Sequence, residues 1–270
     1  MMEATSESNV PRPALSPVES VQLRQLPDLS GLVALFWLTL RQHARGRRLL
    51  VLAFLFTLPV ALVVLVRKLD PQVRAAEIEF AIVFHLIPHA LVPLTALLYA
   101  SAMIQDEVEE QTLTYLLIRP LPRWALYLTK LLATLAVTAI LAGVFTTATY
   151  VAIYWGHDDF WWKVFPLRAL KASLLLSLSL VGYCAIFGCI SLFTSRTLAA
   201  GIGFIIIFEG ILANIDFAVR RMTVMYYFRV LSLRWLAVTE GLSGVSADPW
   251  SLNLARAPGG WMCVVTVLAL

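Results

Sequence analysis

The stretch Leu49–Val66, LLVLAFLFTLPVALVVLV, decides the fold class. It carries no charge, and it is closed by Arg47 and Arg48 on one side and by Arg67 and Lys68 on the other. A helix that crosses the ~30 Å hydrocarbon core of a bilayer needs ~20 mostly apolar residues. Four more runs answer to that description: Phe80–Ile104, Leu131–Trp155, Ala172–Phe193 and Thr197–Val219. A sixth opens at Gly259 and reaches Leu270. As a helix it would rise only ~18 Å, so the expectation is that the natural chain continues past Leu270 and completes the span. The fold class expected is an all-α membrane protein with six spans, at about 49–66, 80–104, 131–155, 172–193, 197–219 and 259–270.

Composition agrees. Of 270 residues, 60% are hydrophobic and 14% charged, with a mean hydropathy of +0.80. A soluble domain carries about 25% charged residues. The net charge of +4 is scattered through the loops. No basic block offers a nucleic-acid footprint, so nucleic acid is excluded as a partner and the lipid bilayer is expected as the solvent. The three cysteines, Cys184, Cys189 and Cys263, all sit in apolar runs without zinc-site spacing. They are expected to be small packing residues.

Residues 1–28 are rich in Pro, Ser and Glu, lack an apolar core and read as a disordered cytoplasmic tail. In the segment 29–48, Leu29, Leu32, Val33, Phe36 and Leu40 recur at helical spacing, and Arg41, Arg45, Arg47 and Arg48 crowd its end. That pattern predicts a helix lying in the membrane interface. With the N-terminus inside, cytoplasmic pieces hold ten Lys and Arg and outer pieces eleven. The count is balanced, so orientation rests on the arginine cluster before the first span, which places the N-terminus in the cytoplasm. In the outer pieces, Trp155, Trp161 and Trp162 make an aromatic belt, and Tyr226–Val238 is expected on the outer surface or dipping into it. Small residues dot the fourth span (Ser173, Ser177, Ser179, Gly182, Ala185, Gly188) and open the fifth (Ala199, Ala200, Gly201, Gly203). They predict close helix packing, within the chain or against a second subunit.

Chemistry-bearing residues inside the apolar runs are few. Glu209 falls midway along the fifth, where an ionisable group is expensive and by default functional; Asn214 and Asp216 near its end can reach water. His85 and His89 are four apart around Pro88, on one helical face, without a nearby third ligand. A Walker A loop is absent, since no glycine is followed by Lys. The chain itself is therefore not expected to be an ATPase.

Between the second and third runs lies Gln105–Arg123, QDEVEEQTLTYLLIRPLPR. Its Glu109–Glu110 pair resembles the Glu-Glu-x-x-x-Arg signature of glutamate-type intramembrane proteases, but Thr114 stands at the sixth position and the histidines are missing. Thr112 can cap a new helix, Leu113, Leu116 and Leu117 share a face, and Pro120 ends it. The spacing of Glu107, Gln111-Thr112-Leu113, Leu116-Leu117, Pro120, Arg123 and Lys130 resembles that of the permease subunits of ABC-2 type transporters, with Gln111 where glycine is usual. The resemblance covers Leu29 to the end.

That resemblance implies a six-span ABC-2 permease domain over 29–270, the transmembrane subunit of an ATP-driven ABC exporter working by alternating access in the inner membrane. It implies two copies of a separate ABC ATPase subunit holding ATP and magnesium, no cofactor in this chain, and a second permease chain. The helix within Gln105–Arg123 would be the cytoplasmic coupling helix, where Glu107, Gln111, Thr112, Leu113, Leu116, Leu117, Pro120 and Arg123 transmit force. His85, His89 and Glu209 become candidates for the pathway. The alternatives from other classes are an intramembrane enzyme and a non-transporting membrane scaffold.

Overall fold

Apolar runs parted by short charged turns fold into helices; among the described residues there is no strand. A computed structural model of the chain describes residues 29–109, 123–156, 165–194, 196–214, 218–236, 250, 252 and 257–269. Helix α1 is Leu29–Arg45 and α2 is Arg47–Leu69. Helix α3, Ala75–Glu79, runs through a π-helical segment, Phe80–Leu91, into α4, Val92–Glu109. Next come α5, Arg123–Tyr154, and α6, Phe165–Phe193. Helix α7, Thr197–Phe204, passes into a second π-helical segment, Ile205–Ile211, and a 3-10 turn, Leu212–Asn214. A further 3-10 turn, Ala218–Met222, leads to α8, Val224–Leu236; α9 is Gly260–Ala269.

Five of these stretches are long and apolar enough to cross a membrane: Arg47–Leu69, Ala75–Ala102, Trp124–Tyr154, Phe165–Phe193 and Thr197–Asn214. Each but the last outruns its expected apolar run, because the helix continues through flanking charged residues. The described part of the fifth closes in 3-10 geometry at Leu212–Asn214. The sixth run gives a described helix of ten residues, α9.

The second and fourth stretches are the most buried and form the centre of the bundle; the first and fifth are the least. Helix α2 shows why so apolar a helix can sit at the edge. The stripe Leu52, Phe56, Pro59 and Val63 is buried, while Leu50, Phe54 and Leu65 are exposed. In water this would be an aggregation surface; in lipid it is solvated. Helix α1 is separated from α2 by a break at Gly46. It turns Thr39 and His43 inward, and His43 Nε2 meets Thr134 Oγ1 of α5 at 3.0 Å with its ring edge-on to Tyr99. Its Val33, Trp37 and Leu38 stay exposed.

The small residues do bring helices together inside the chain. A Cβ on Gly201 of α7 would lie 2.1 Å from Leu97 Cδ1 of α4, and one on Gly188 of α6 would lie 2.5 Å from the Tyr127 hydroxyl of α5. Gly182 lies against Val224 and Val267. The hydroxyls of Ser173, Ser177 and Ser179 of α6 each bond a carbonyl one turn back on their own helix, so they are satisfied without a partner helix.

One expectation for the outer segments is corrected. The segment around Tyr226 is not a surface element. Residues Val224–Leu233 of α8 are buried without interruption, packed against α6 and α9. Glu79, which directly precedes the second apolar run, lies within the helix and is 1% exposed. Both follow from the same cause. A polar or mixed segment can enter a membrane bundle when its polar groups find partners inside, and the partners come from distant parts of the chain.

Candidate functional site

Three elements deliver the polar side chains of the bundle's middle to one place. The first is the π-helical segment Phe80–Leu91. There His85 and His89 share one face, as their four-residue spacing predicts, with rings tilted by 31° and centroids 4.4 Å apart. His85 is exposed and His89 half-buried. The second is the π-helical segment Ile205–Ile211 with its 3-10 end, carrying Glu209, Ala213 and Asn214. The third is α8, carrying Arg229. π-helical turns are rare and recur at functional sites; here the two described examples hold His85, His89 and Glu209.

Arg229 ties the three together. It is 6% exposed. Its Nη2 donates to His89 Nε2 at 2.8 Å and to Asn214 Oδ1 at 2.9 Å, and its Nη1 donates to the Ala213 carbonyl at 3.1 Å. The carbonyls at a helix end lack partners in their own helix. The guanidinium fork supplies one for Ala213, and Asn214 supplies one for Gly210 through Nδ2 at 2.8 Å. The indole of Trp250 lies 5.9 Å below the guanidinium. Arginine can only donate, so His89 Nε2 must accept. The proton of His89 is then on Nδ1, which faces the His85 carbonyl at 2.8 Å. The imidazole is thus a neutral, oriented ring between a backbone carbonyl and a buried cation.

Glu209 sits beside this arrangement and is not satisfied by it. It is 2% exposed, and neither carboxylate oxygen makes a hydrogen bond. The Tyr183 hydroxyl of α6 and the amides of Val224 and Met225 surround it without bonding it in normal geometry, and the Tyr183 hydroxyl is itself unpaired. Arg229 acts on Glu209 electrostatically but makes no ion pair with it. Buried polar groups without partners cost about 1–3 kcal/mol each in proteins, and a charged one more. A carboxyl, a phenol and the Nε of Arg229 are all unpaired within one buried region. Such a region has strong interactions open to a second arrangement or to a ligand.

A second polar cluster lies at the bundle end away from Glu109 and Arg123. Glu79 Oε1 accepts from the Tyr150 hydroxyl at 2.7 Å and from Arg168 Nε at 2.7 Å; Oε2 accepts from the Tyr154 hydroxyl at 2.5 Å. This carboxylate is saturated, the opposite of Glu209, and it pins together α3, α5 and α6. At the same end Arg67 of α2 donates to the Ile153 and Trp155 carbonyls at the close of α5.

A family model described as an ABC-2 family transporter protein matches residues 33–240. The chain belongs to that family. Comparison with curated proteins returns no match. As an ABC-2 transporter the chain is a multi-pass membrane protein and a transmembrane permease component, and the transport component of the family is not itself catalytic.

Within this permease the expected site residues divide. His85, His89 and Glu209 lie in one neighbourhood, with Arg229 as the link. Of the expected coupling residues, Glu107 is in the last turn of α4 and Arg123 is the first residue of α5. Gln111, Thr112, Leu113, Leu116, Leu117 and Pro120 lie outside the described residues, as do Glu110 and Asp216. Among the described residues no group of three His, Cys, Asp or Glu accompanies the histidine pair. Cys184 and Cys263 are buried and Cys189 is exposed, all with free thiols.

Two residues central to these clusters carry no mark in the sequence. Arg229 was one basic residue in a loop that held several. Its signal is its setting, Thr223–Leu233, where it interrupts an otherwise uncharged stretch. Glu79 directly precedes the apolar run from Phe80, and nothing local distinguishes it from a helix-capping acid.

Proposed function

We propose that this permease is the transmembrane subunit of an ATP-driven ABC exporter in the inner membrane, paired with a second permease chain and seated on two ABC ATPase subunits. Its N-terminus is cytoplasmic, and residues 29–48 lie in the interface. The segment between α4 and α5 is the coupling helix. Leu113, Leu116 and Leu117 enter a groove of the ATPase, while Glu107, Gln111, Thr112, Pro120 and Arg123 set the helix and its ends. ATP and magnesium belong to the partner. Alternating access then turns on the Arg229 centre, because it joins the second span, the end of the fifth and α8 through one side chain.

The observation that carries the proposal is the unpaired Glu209 beside Arg229 and His89, inside a chain of this transporter family. A scaffold has no use for an unsatisfied buried carboxyl, whose cost selects against it unless a second state or a substrate pairs it. The test begins with the ATPase. The permease is co-expressed with a candidate ABC ATPase subunit and pulled down with and without Leu116→Asp and Leu117→Asp. Loss of the ATPase with membrane insertion intact is expected. Unchanged association removes the coupling helix from the proposal.

A further inference from the structure

At the same bundle end as Glu79, α2 and α5 line an open cleft of about 470 Å³. Its lining is Val60, Val64, Arg67 and Lys68 from α2, Ala148, Val151 and Ala152 from α5, and Trp155 beyond its end. The residues are sorted by depth. Arg67, Lys68 and Trp155 are at the mouth, where both apolar runs end. Val60 and Ala148 are each seven residues deeper, ~10 Å down the helix axis. The floor is therefore wholly apolar and built from small side chains, and the mouth is basic and aromatic.

We propose that this cleft holds one phospholipid with an anionic headgroup of the phosphatidylglycerol class, acyl chain against the valines and alanines and phosphate at Lys68 and Arg67. Three features select that occupant. Lys68 is exposed and makes no hydrogen bond or ion pair among the described residues. Among the described residues no carboxylate lines the cleft, and Asp70, two residues beyond Lys68, accepts from the Gln72 amide at 3.1 Å. Trp155, 69% exposed at the mouth, is the residue type that sits at headgroup level. A bilayer tail is as apolar as the cleft floor, so exchanging one lipid for another gains little below the mouth. Selectivity must come from the rim. One Lys or Arg near an anionic headgroup contributes about fivefold. Arg67 already serves the Ile153 and Trp155 carbonyls, so fivefold from Lys68 is the floor and roughly 25-fold from both cations the ceiling.

The site is independent of the transport reading, since it needs neither ATPase nor substrate. The full chain is purified in detergent and titrated, by native mass spectrometry, with phosphatidylglycerol or phosphatidylcholine of identical acyl chains. A first phosphatidylglycerol adduct five- to 25-fold tighter than phosphatidylcholine is expected. Lys68→Glu removes that preference with the apolar floor intact. Val64→Trp, at a position already 44% exposed, fills the cleft without touching the core and removes the tight adduct with both cations intact. Equal affinity for the two lipids overturns the proposal. So does a preference that survives Lys68→Glu, which moves the charge recognition elsewhere, or one that survives Val64→Trp, which takes the acyl chain out of the cleft. Displacement by millimolar inorganic phosphate would reduce the site to a bare anion site and overturn the lipid.

Discussion

The Glu79 cluster makes the sharpest quantitative prediction, because its geometry is complete. Consider Glu79→Gln, Arg168→Met and the double variant. Glu79 is 1% exposed at its side chain and Arg168 20%. Breaking a buried ion pair by removing one partner costs about 3–5 kcal/mol, since the other charge is left without compensation. Arg168 keeps some access to water, so about 2–4 kcal/mol is expected for Glu79→Gln. The two tyrosine bonds are a smaller part: hydrogen bonds in membrane bundles average about 0.6 kcal/mol, so Tyr150→Phe should cost about 1 kcal/mol or less. The double variant removes both charges and should be less destabilised than the sum of the single changes, with a coupling of about 2 kcal/mol. The assay is thermal unfolding of the detergent-purified chain followed by circular dichroism. For a chain of this size about 2–4 °C per kcal/mol is expected, so Glu79→Gln should lower the midpoint by roughly 4–16 °C. Purely additive variants, with coupling under about 0.5 kcal/mol, would refute the assignment of Glu79–Arg168 as the tie between α3 and α6.

Arg229→Lys keeps the charge but lacks the planar fork that reaches His89, Asn214 and Ala213 together. A fall of about 1–3 kcal/mol in stability, with loss of substrate-stimulated ATP hydrolysis in the assembled transporter, is expected; a fully active Lys variant would show that charge alone suffices. Gly201→Ala places a methyl where Leu97 Cδ1 now sits, and overpacking of this kind costs about 1–3 kcal/mol. Leu97→Ala should recover part of that loss when added to Gly201→Ala, and strictly additive losses in the unfolding midpoint would mean the two helices do not meet there.

The helical class and most span positions were legible because each follows from a local quantity, the length of an uncharged run. Leu49–Val66 needs no neighbour to be read as a membrane helix. The pairing of His85 with His89 was legible for the same reason, since helical spacing is local. What escaped were the residues whose meaning depends on partners far along the chain. Glu79 is defined by Tyr150, Tyr154 and Arg168, and Arg229 by His89, Ala213 and Asn214. The burial of α8 was missed because its half-basic, half-apolar pattern also suits a surface helix.

The sequence alone thus determined that the chain is a helical membrane protein of the ABC-2 kind, because hydropathy over a span length and motif spacing are properties of neighbouring residues. The tertiary structure decided which polar groups are paired and which are not. It saturated Glu79, left Glu209 unpaired, drew Arg229 inward, and widened the helices at Phe80–Leu91 and Ile205–Ile211. In a low-dielectric interior, pairing governs the energy of a charge. Only the packing of distant helices sets that pairing.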